Sequence, residues 1–397
     1  MSTPGLATLP PLSLYIHIPW CVRKCPYCDF NSHALGENAD ELGATEAEYV
    51  RALVADLDST LPSVWGRSVQ TIFFGGGTPS LFSPSSIERL LAETRARLRV
   101  APDAEITLEA NPGTFEAAKF RDYRAAGVNR LSIGIQSFND RHLKTLGRIH
   151  DAADAGKAIE IAQTNFDNFN LDLMYALPGQ TLAEARADLA AAIATGAPHV
   201  SAYHLTIEPN TWFAKFPPPL PDDDTAAIIQ ENVEAMLGEA GYTHYEISAY
   251  ARSGRACRHN LNYWRFGDYL GLGAGAHGKI SFPDRIVREV RARNPQEYLR
   301  RIAEGTQVVE RREVENADRV FEFMMNALRL AEGFDVALFT ERTGLPIDVA
   351  ATALNEAKSK GLIERNGERI RPTERGRGFL NDLLELFLPD AAPAPRR

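Results

Sequence analysis

The sequence predicts an α/β fold in which a parallel β-sheet, either open or closed into a barrel, is followed by a smaller α+β domain. Strand-like and helix-like runs alternate over the first two-thirds of the chain, and the pattern changes near residue 315. The strand-like runs are continuous and rich in β-branched and aromatic residues, which is typical of strands buried on both faces. Strand–helix repetition of this kind predicts parallel strands joined by helical crossovers.

Six strand-like runs occur in the repeating region. They are residues 13–19, 69–76, 104–112, 129–137, 169–178 and 199–208. Amphipathic helical runs separate them, such as EAEYVRALVADLDSTL, SSIERLLAETRARL and TLAEARADLAAAIATG. We therefore expect the core of the sheet or barrel at about residues 11–215, within a first domain that spans 1–255.

The next region is less regular. The prolines of FPPPLPDDD (216–224) favour an extended loop, and its aspartates suit the N-terminus of a helix at about 225–240. A strand is predicted at 245–250. Residues 256–312 are rich in Gly, Arg and aromatic side chains, and we interpret them as a linking region.

The last part of the chain predicts a winged-helix-like domain at 313–388. RVFEFMMNALRL, DVALFTERTG and DVAATALNEAKSKGLI are helical runs, and ERNGERIRPTERGRGFL contains a hairpin with an Asn-Gly turn. We interpret this domain as a packing module rather than a reader of nucleic acid. The Pro- and Ala-rich tail, 389–397, is predicted to be disordered.

Composition excludes several classes of protein. The 397 residues are 44% hydrophobic and 24% charged, as in ordinary globular proteins. The net charge of −9 gives no general attraction for nucleic acid or anionic membranes. The sequence has no apolar run of about 18 residues and no signal-peptide pattern at its N-terminus, so we expect no integral membrane segment and a cytoplasmic location.

Cysteines give the strongest chemical signal. Cys21, Cys25 and Cys28 form a C-x3-C-x2-C run just after the first strand, and in a reducing compartment this favours a metal centre over disulfides. Iron–sulfur clusters normally take four thiolates, so three would leave one iron open. The alternative is a zinc-stabilised binding module, with His17 or His33 as a fourth ligand.

Polar and glycine-rich features occur at or near the ends of the other predicted strands. The run GGGTP (75–79) follows the second strand, and glycine allows close approach of the backbone to a ligand. The later features are Glu109, Gln136, Asp172, Tyr203 and His204. Because the carboxyl ends of parallel strands form one face, where active sites lie, we expect these residues to meet beside the cysteine loop.

The cysteine run resembles that of the radical S-adenosylmethionine (SAM) superfamily. YIHIPWC, GGGTPS, EANPG, RLSIGIQSF, LGRIH and DLMYALPGQT together resemble the oxygen-independent coproporphyrinogen III oxidase group, over nearly the whole chain. The resemblance implies a partial (β/α)6 TIM-like barrel and a [4Fe–4S] cluster on the three cysteines, with the open iron binding the amino and carboxylate groups of S-adenosylmethionine. The positions that match cofactor contacts are Tyr15, Tyr27, Gly76, Gly77, Thr78, Glu109, Gln136, Arg148 and Asp172.

Two departures separate this sequence from the oxidases. Phe30 stands where the oxidases have a fourth cysteine, and only 20 residues precede Cys21. These features, with the runs CDFNSHA and HNLNYW, resemble the heme chaperone branch of the group. That resemblance implies heme binding at 258–264, with His259 as the iron ligand, Tyr263 and Trp264 against the porphyrin, and Arg258 at a propionate. Other residues considered as iron ligands are Cys257 and His277.

The sequence therefore predicts a heme chaperone that passes heme to apo-hemoproteins. The alternative is an enzyme that decarboxylates coproporphyrinogen III by radical chemistry. Expected partners are heme, apo-hemoprotein acceptors and a small redox donor for the cluster, with no nucleic acid. The sequence leaves a homodimer open.

Overall fold

A computed structural model describes residues 5–35, 42–113 and 117–389, and the side chains of residues 42 and 44 lie outside the description. Apart from Pro389, the predicted disordered tail lies outside the described residues. Among the described residues, no helix is both long and apolar enough to cross a bilayer.

The strands are β1 Leu12–Ile18, β2 Trp20–Cys21, β3 His33–Ala34, β4 Ser68–Gly76, β5 Arg99–Ala110, β6 Arg130–Gln136, β7 Phe169–Tyr175, β8 His199–His204, β9 Thr243–Glu246, β10 Ala249–Ala251, β11 Asp268–Leu272, β12 His277–Ser281, β13 Ile286–Arg291, β14 Val308–Glu313, β15 Phe334–Asp335, β16 Ile363–Asn366 and β17 Arg369–Pro372.

The helices are α1 Leu42–Val64, α2 Pro84–Arg97, α3 Phe120–Ala126, α4 Asp140–Thr145, α5 Ala152–Asn165, α6 Leu182–Ala194, α7 Trp212–Lys215, α8 Asp223–Glu239, α9 Arg258–Trp264, α10 Pro295–Glu304, α11 Asn316–Ala327, α12 Val336–Thr343, α13 Ala351–Ser359, α14 Glu374–Gly378 and α15 Leu380–Glu385. Short 3₁₀ turns occur at Pro79–Leu81 and Ile347–Ala350.

One twelve-stranded sheet organises most of the chain. Its strand order is β14-β13-β12-β11-β1-β4-β5-β6-β7-β8-β10-β9. The six predicted strands, β1 and β4 to β8, are consecutive parallel neighbours in chain order. This confirms the α/β fold with a parallel sheet. Within the described chain the end strands of this order are β14 and β9, so the sheet is open.

The parallel strands have two different faces, because successive side chains of a strand point to opposite sides. In β6, for example, Leu131, Ile133 and Ile135 belong to the main apolar core. Arg130 and Ser132 point the other way, into a cavity that residues from all six strands line. The sheet therefore curves around an interior, as the expected partial barrel does.

Some predicted boundaries differ from the structure. The strand predicted at 245–250 is instead the antiparallel hairpin of β9 and β10. The strand predicted at 169–178 ends at Tyr175, since Ala176 has a φ of +55° and leaves the extended conformation. The expected helix cap is confirmed, because Asp222 accepts the backbone N–H of Thr225 at the start of α8.

Residues after 255 complete the main sheet. The strand β11 lies parallel to β1, and β12 to β14 extend the sheet antiparallel beyond it. Buried Asp56 on α1 accepts hydrogen bonds from Arg291, Tyr298 and Gln307. The first helix of the chain is therefore anchored to its later part.

The C-terminal domain has the predicted order of helices followed by a hairpin. Its small sheet has the order β15-β17-β16, and Phe323 lies at the centre of its core, in edge contact with Phe334 and Phe339. Phe266, which precedes β11, also contacts Phe323 with ring centroids 5.9 Å apart. The core of this domain therefore continues onto the larger sheet.

Candidate functional site

The carboxyl ends of the barrel strands and the cysteine loop enclose a cavity of about 520 Å³, which we call the outer cavity. The predicted cofactor residues that line it are Cys21, Cys25, Tyr27, Cys28, Gly76, Gly77, Thr78, Glu109, Gln136, Arg148 and Asp172. Tyr203 and His204 line it too. The structure thus brings together residues from seven separate segments, and of the predicted cofactor contacts only Tyr15 lies elsewhere.

The cysteine loop connects β2 to β3, whose parallel pairing closes it at the base. The N–H of Cys28 donates to the carbonyl of Cys25 at 3.2 Å. Lys24 Nζ donates to the carbonyls of Phe30 and Ser32. These bonds shape the loop so that its three thiols face one cavity. A set of soft thiol donors on one wall fits an iron–sulfur cluster.

Two residues near the cysteine loop, His17 and Phe30, show which further metal ligands it has. Both ring nitrogens of His17 are engaged, Nδ1 with the Tyr15 hydroxyl at 3.0 Å and Nε2 with the Asn31 carbonyl at 2.9 Å. His17 is therefore not free to complete a zinc site. Phe30, in the position of the oxidases' fourth cysteine, is 62% exposed at the mouth of the outer cavity.

The glycine turn after β4 packs tightly against the strand that leads into the cysteine loop. Gly76 has a φ of +117°, and a Cβ there would lie 2.5 Å from His17 Cε1. The N–H of Gly77 donates to the carbonyl of Ile18 at 2.8 Å, and that of Thr78 to the carbonyl of Trp20 at 2.7 Å. Glycine is needed here because both the left-handed backbone and the close approach exclude a side chain.

Arg148 lies between the cysteine loop and β6. Its Nη2 donates to Asn111 Oδ1 at 2.6 Å and to the Gly134 carbonyl at 2.9 Å, and its Nη1 lies 3.7 Å from Cys25 Sγ. Asn111 also donates to Thr78 Oγ1 at 3.0 Å. Sequence reasoning missed Asn111 as a site residue, although it lies within the EANPG motif.

Two carboxyl groups form the floor of the outer cavity. Glu109 Oε2 accepts the N–H of Gly76 at 3.1 Å, while Asp172 accepts hydrogen bonds from Ser132 at 3.0 Å and Asn170 at 2.8 Å. Burial, and then the charge of Asp172, raise the pKa of Glu109 to about 8. Burial also raises the pKa of Asp172. At neutral pH this floor therefore holds fewer charges than two free carboxylates would.

A second cavity of about 200 Å³, the inner cavity, lies between this floor and α9. Glu109, Ser132, Asp172 and Tyr203 line both cavities and therefore lie between them. The remaining lining residues are Tyr15, Phe73, Arg130, Asn170, His199, Ser201, His259, Asn260 and Tyr263. The structure therefore places Tyr15 with the predicted heme residues rather than with the other cofactor contacts.

His259 faces the inner cavity from α9 and is only 1% exposed. Its Nδ1 lies 2.7 Å from Thr71 Oγ1, whose own hydroxyl donates to Ser13. Thr71 must therefore accept, so Nδ1 carries the proton and Nε2 keeps its lone pair. Nε2 has no hydrogen-bond partner among the described residues. Burial lowers the pKa of His259 to about 3.

The start of α9 is fixed by a carboxylate on β5. Glu105 Oε1 accepts the backbone N–H of His259 at 3.1 Å and lies 3.6 Å from Cys257 Sγ. Glu105 is four residues before Glu109, so the Cα atoms of these residues lie about 13 Å apart along β5, and the start of α9 contacts the strand well below the outer cavity floor. The thiol of Cys257 is buried and hydrogen-bonded at that end, away from the cysteine loop.

The other predicted heme residues are not all in the inner cavity. Tyr263 lines it, with its ring centroid 5.0 Å from that of His259. Trp264 lies outside both cavities, with the Arg329 guanidinium 4.4 Å from its ring centroid. Arg258 pairs with Asp103 at 3.3 Å. His277 is exposed at the start of β12.

Comparison with known proteins identifies the family. A profile of the radical SAM superfamily matches residues 15–192, and one of the HemN C-terminal domain matches 314–379. The heme chaperone HemW of Escherichia coli (strain K12) is 52% identical over 386 residues, covering 96% of this chain and all of that protein. The chain belongs to the HemW family. HemW of Haemophilus influenzae is 50% identical, covering 96% of this chain and 98% of that protein.

A solved structure shows that the HemW fold is shared with an oxidase. Coproporphyrinogen III oxidase (HemN) from Escherichia coli, a radical SAM enzyme, superposes with a TM-score of 0.80 at 23% identity, covering 96% of this chain and 90% of the other. At this identity the likeness concerns the fold alone. The radical SAM region of this HemW family member takes a [4Fe–4S] cluster and S-adenosylmethionine.

Proposed function

We propose that this protein is a heme chaperone, which binds heme and transfers it to apo-hemoproteins. The observation that carries the proposal is the 52% identity, over 96% of this chain and all of the other, to a protein named heme chaperone HemW. The alternative of coproporphyrinogen oxidation has weaker support, since the likeness to the oxidase is in the fold and Phe30 replaces the fourth cysteine of that group.

We assign the cofactors to the outer cavity. Cys21, Cys25 and Cys28 would hold the cluster, whose open iron then binds S-adenosylmethionine. Together these groups supply one-electron chemistry when bound. The other predicted contacts except Tyr15 line the same cavity, and Asp172 offers an acceptor for ribose hydroxyls beside Glu109. Tyr15 would act on this site only indirectly, through its hydrogen bond to His17.

We assign the heme iron to Nε2 of His259. A ligating histidine usually donates its other ring N–H to a nearby acceptor, and Thr71 is that acceptor here. The inner cavity, about 200 Å³, is smaller than the roughly 300–1,000 Å³ typical of small-molecule sites. The inner cavity as the structure has it is therefore too small for a whole porphyrin, and heme at His259 requires a larger opening than the structure shows.

Substitution of His259 tests the heme site. In His259→Ala we expect an altered heme absorption spectrum and weaker heme uptake, because the iron loses its ligand. His199→Asn is the matched control, since His199 is also buried at the inner cavity but both its nitrogens are hydrogen-bonded. An unchanged heme titration in His259→Ala would remove that residue from the site.

The chaperone activity has its own test. Purified protein loaded with cluster and heme should transfer heme to an apo-hemoprotein. The transfer is measured by the change in the absorption spectrum of the acceptor. Failure of transfer, together with formation of protoporphyrinogen from coproporphyrinogen III under anaerobic conditions, would overturn the proposal in favour of the oxidase. A redox donor, a homodimer, a cytoplasmic location and the domain boundaries given above stay predictions.

A further inference from the structure

Arg130, the first residue of β6, has a buried guanidinium without a partner. The residue is 2% exposed and lines the inner cavity. Its Nε has no hydrogen-bond acceptor, and within the described parts of the chain no carboxylate forms an ion pair with it. The charges of Glu105 and Asp172 are near enough to raise the pKa of Arg130, but among the described residues neither lies within hydrogen-bonding or ion-pair distance of it. Buried polar groups normally have such a partner.

The two carboxyl groups near Arg130 are Glu105 and Asp172, and in the described structure both accept hydrogen bonds from other groups and none from Arg130. Glu105 accepts the N–H of His259, and Asp172 accepts from Ser132 and Asn170. Burial raises the pKa of the Cys257 thiol to about 12, so that group stays neutral. The guanidinium therefore has unused donors that face the cavity.

We propose that Arg130 binds a carboxylate group in the inner cavity. A guanidinium matches a carboxylate with two parallel hydrogen bonds. A space of about 200 Å³ admits a small carboxylate or a carboxylate-bearing arm. Asn260 and Tyr203 supply neutral polar lining beside it, while Glu109 and Asp172 disfavour a ligand of higher negative charge.

Two sources share this chemistry. One is a propionate of heme, and this version rests on the proposed function. Arg258, predicted for a propionate, is exposed and pairs with Asp103, whereas Arg130 is buried and has no ion-pair partner among the described residues. The other source is a small free carboxylate, which needs no heme.

The experiment measures the binding of each ligand to each protein variant, using the full-length, cluster-loaded protein. Heme and heme dimethyl ester are titrated into wild type, Arg130→Gln and Arg130→Lys. If a propionate binds Arg130, esterification weakens binding at least about tenfold in wild type and has little effect in Arg130→Gln. In the second arm, formate and acetate are added without heme, and the unfolding temperature is recorded.

A rise in the unfolding temperature of wild type but not of Arg130→Gln, without an ester effect, assigns the site to a free carboxylate. Arg319→Gln controls for loss of a buried guanidinium elsewhere, since Arg319 is hydrogen-bonded to the carbonyl of Val314. If Arg130→Gln does not fold, the ester effect and the carboxylate stabilisation measured on wild type still test whether the site exists. No ester effect and no stabilisation by carboxylates would overturn the site. Absence of heme binding would instead count against the proposed function, with the formate arm still testing Arg130.

Discussion

Single side chains at the barrel mouth set the chemistry of the outer cavity. Among the described residues, the three cysteines are the thiols that line it, and a cluster with one open iron already uses all three. Cys25→Ala should therefore lose nearly all bound iron and sulfide, measured after anaerobic reconstitution. Cys257→Ala is the control, because that thiol lies with Glu105 at the other end of the barrel. Wild-type iron and sulfide in Cys25→Ala would contradict the assignment.

The Glu109 carboxyl gives a second test at this scale, through pH. Its pKa is raised from 4.5 to about 8, so between these values the folded protein keeps a proton that the unfolded chain has lost. Stability from this group is present at low pH and falls as pH rises toward 8. Glu109→Gln removes the titration, so relative to wild type its unfolding free energy should rise with pH.

The expected rise is at most about 1.4 kcal/mol per pH unit between pH 5 and 8. Denaturant unfolding of protein without S-adenosylmethionine, at several pH values, measures it. Thr78→Val, at another residue of the outer cavity with no titrating group, is the control and should run parallel to wild type. Parallel pH profiles for wild type and Glu109→Gln would show that Glu109 is ionised in the folded protein.

At the scale of elements, each parallel strand combines apolar residues that face the core with residues that face the barrel interior. In β6 the apolar residues alternate with Arg130, Ser132, Gly134 and Gln136, which face the interior. The sequence interpretation recognised buried strands and the strand-end residues, but it missed Arg130, Ser132, Asn170 and His199 within them. The missed signal is the alternation of polar and apolar residues along these strands. In a surface strand the polar residues face solvent, whereas here they face the barrel interior and both faces are buried.

The contacts of Asp56, which anchor α1 to the later part of the chain, predict a large loss of stability when this residue is replaced. Asp56 is buried and accepts from the Tyr298 hydroxyl at 2.8 Å and from Arg291 at 3.4 Å. Asp56→Ala should lower the unfolding free energy by about 3 kcal/mol, because the buried donors of Tyr298 and Gln307 lose this acceptor. It also removes one of the two carboxylates that pair with Arg291 in the described structure, the other being Glu289. Urea denaturation measures this. Asp58→Ala, whose half-exposed carboxylate pairs with Arg97, should cost less than about 1 kcal/mol; equal losses would contradict the role of Asp56.

At the scale of the whole molecule, the C-terminal domain shares its core with the sheet through Phe266. Phe323 contacts the rings of Phe266, Phe334 and Phe339. Phe323→Ala should lower the unfolding free energy by about 3–5 kcal/mol through loss of packing and an internal cavity. Phe379→Ala in the same domain should stay within about 0.5 kcal/mol, since that ring is 56% exposed.

Cluster content separates this effect from damage to the barrel. The C-terminal domain contributes no residue to the outer cavity, so Phe323→Ala should still bind iron and sulfide as wild type does. Loss of the cluster in that variant, under conditions where it remains folded, would mean that the two regions depend on each other more than their contacts indicate.

Local sequence patterns were enough to predict the β/α repeat, the six parallel strands, the helix–hairpin order at the C-terminus and the gathering of strand-end residues beside the cysteine loop. These follow from local patterns of burial and turn chemistry, together with the rule that parallel strands end on one face. The pairing of β11 with β1, the position of Tyr15 at the inner cavity and the meeting of Arg130 and His259 there are visible only in the folded chain. These contacts join distant segments, and they exist only once the sheet curves and α9 closes its interior.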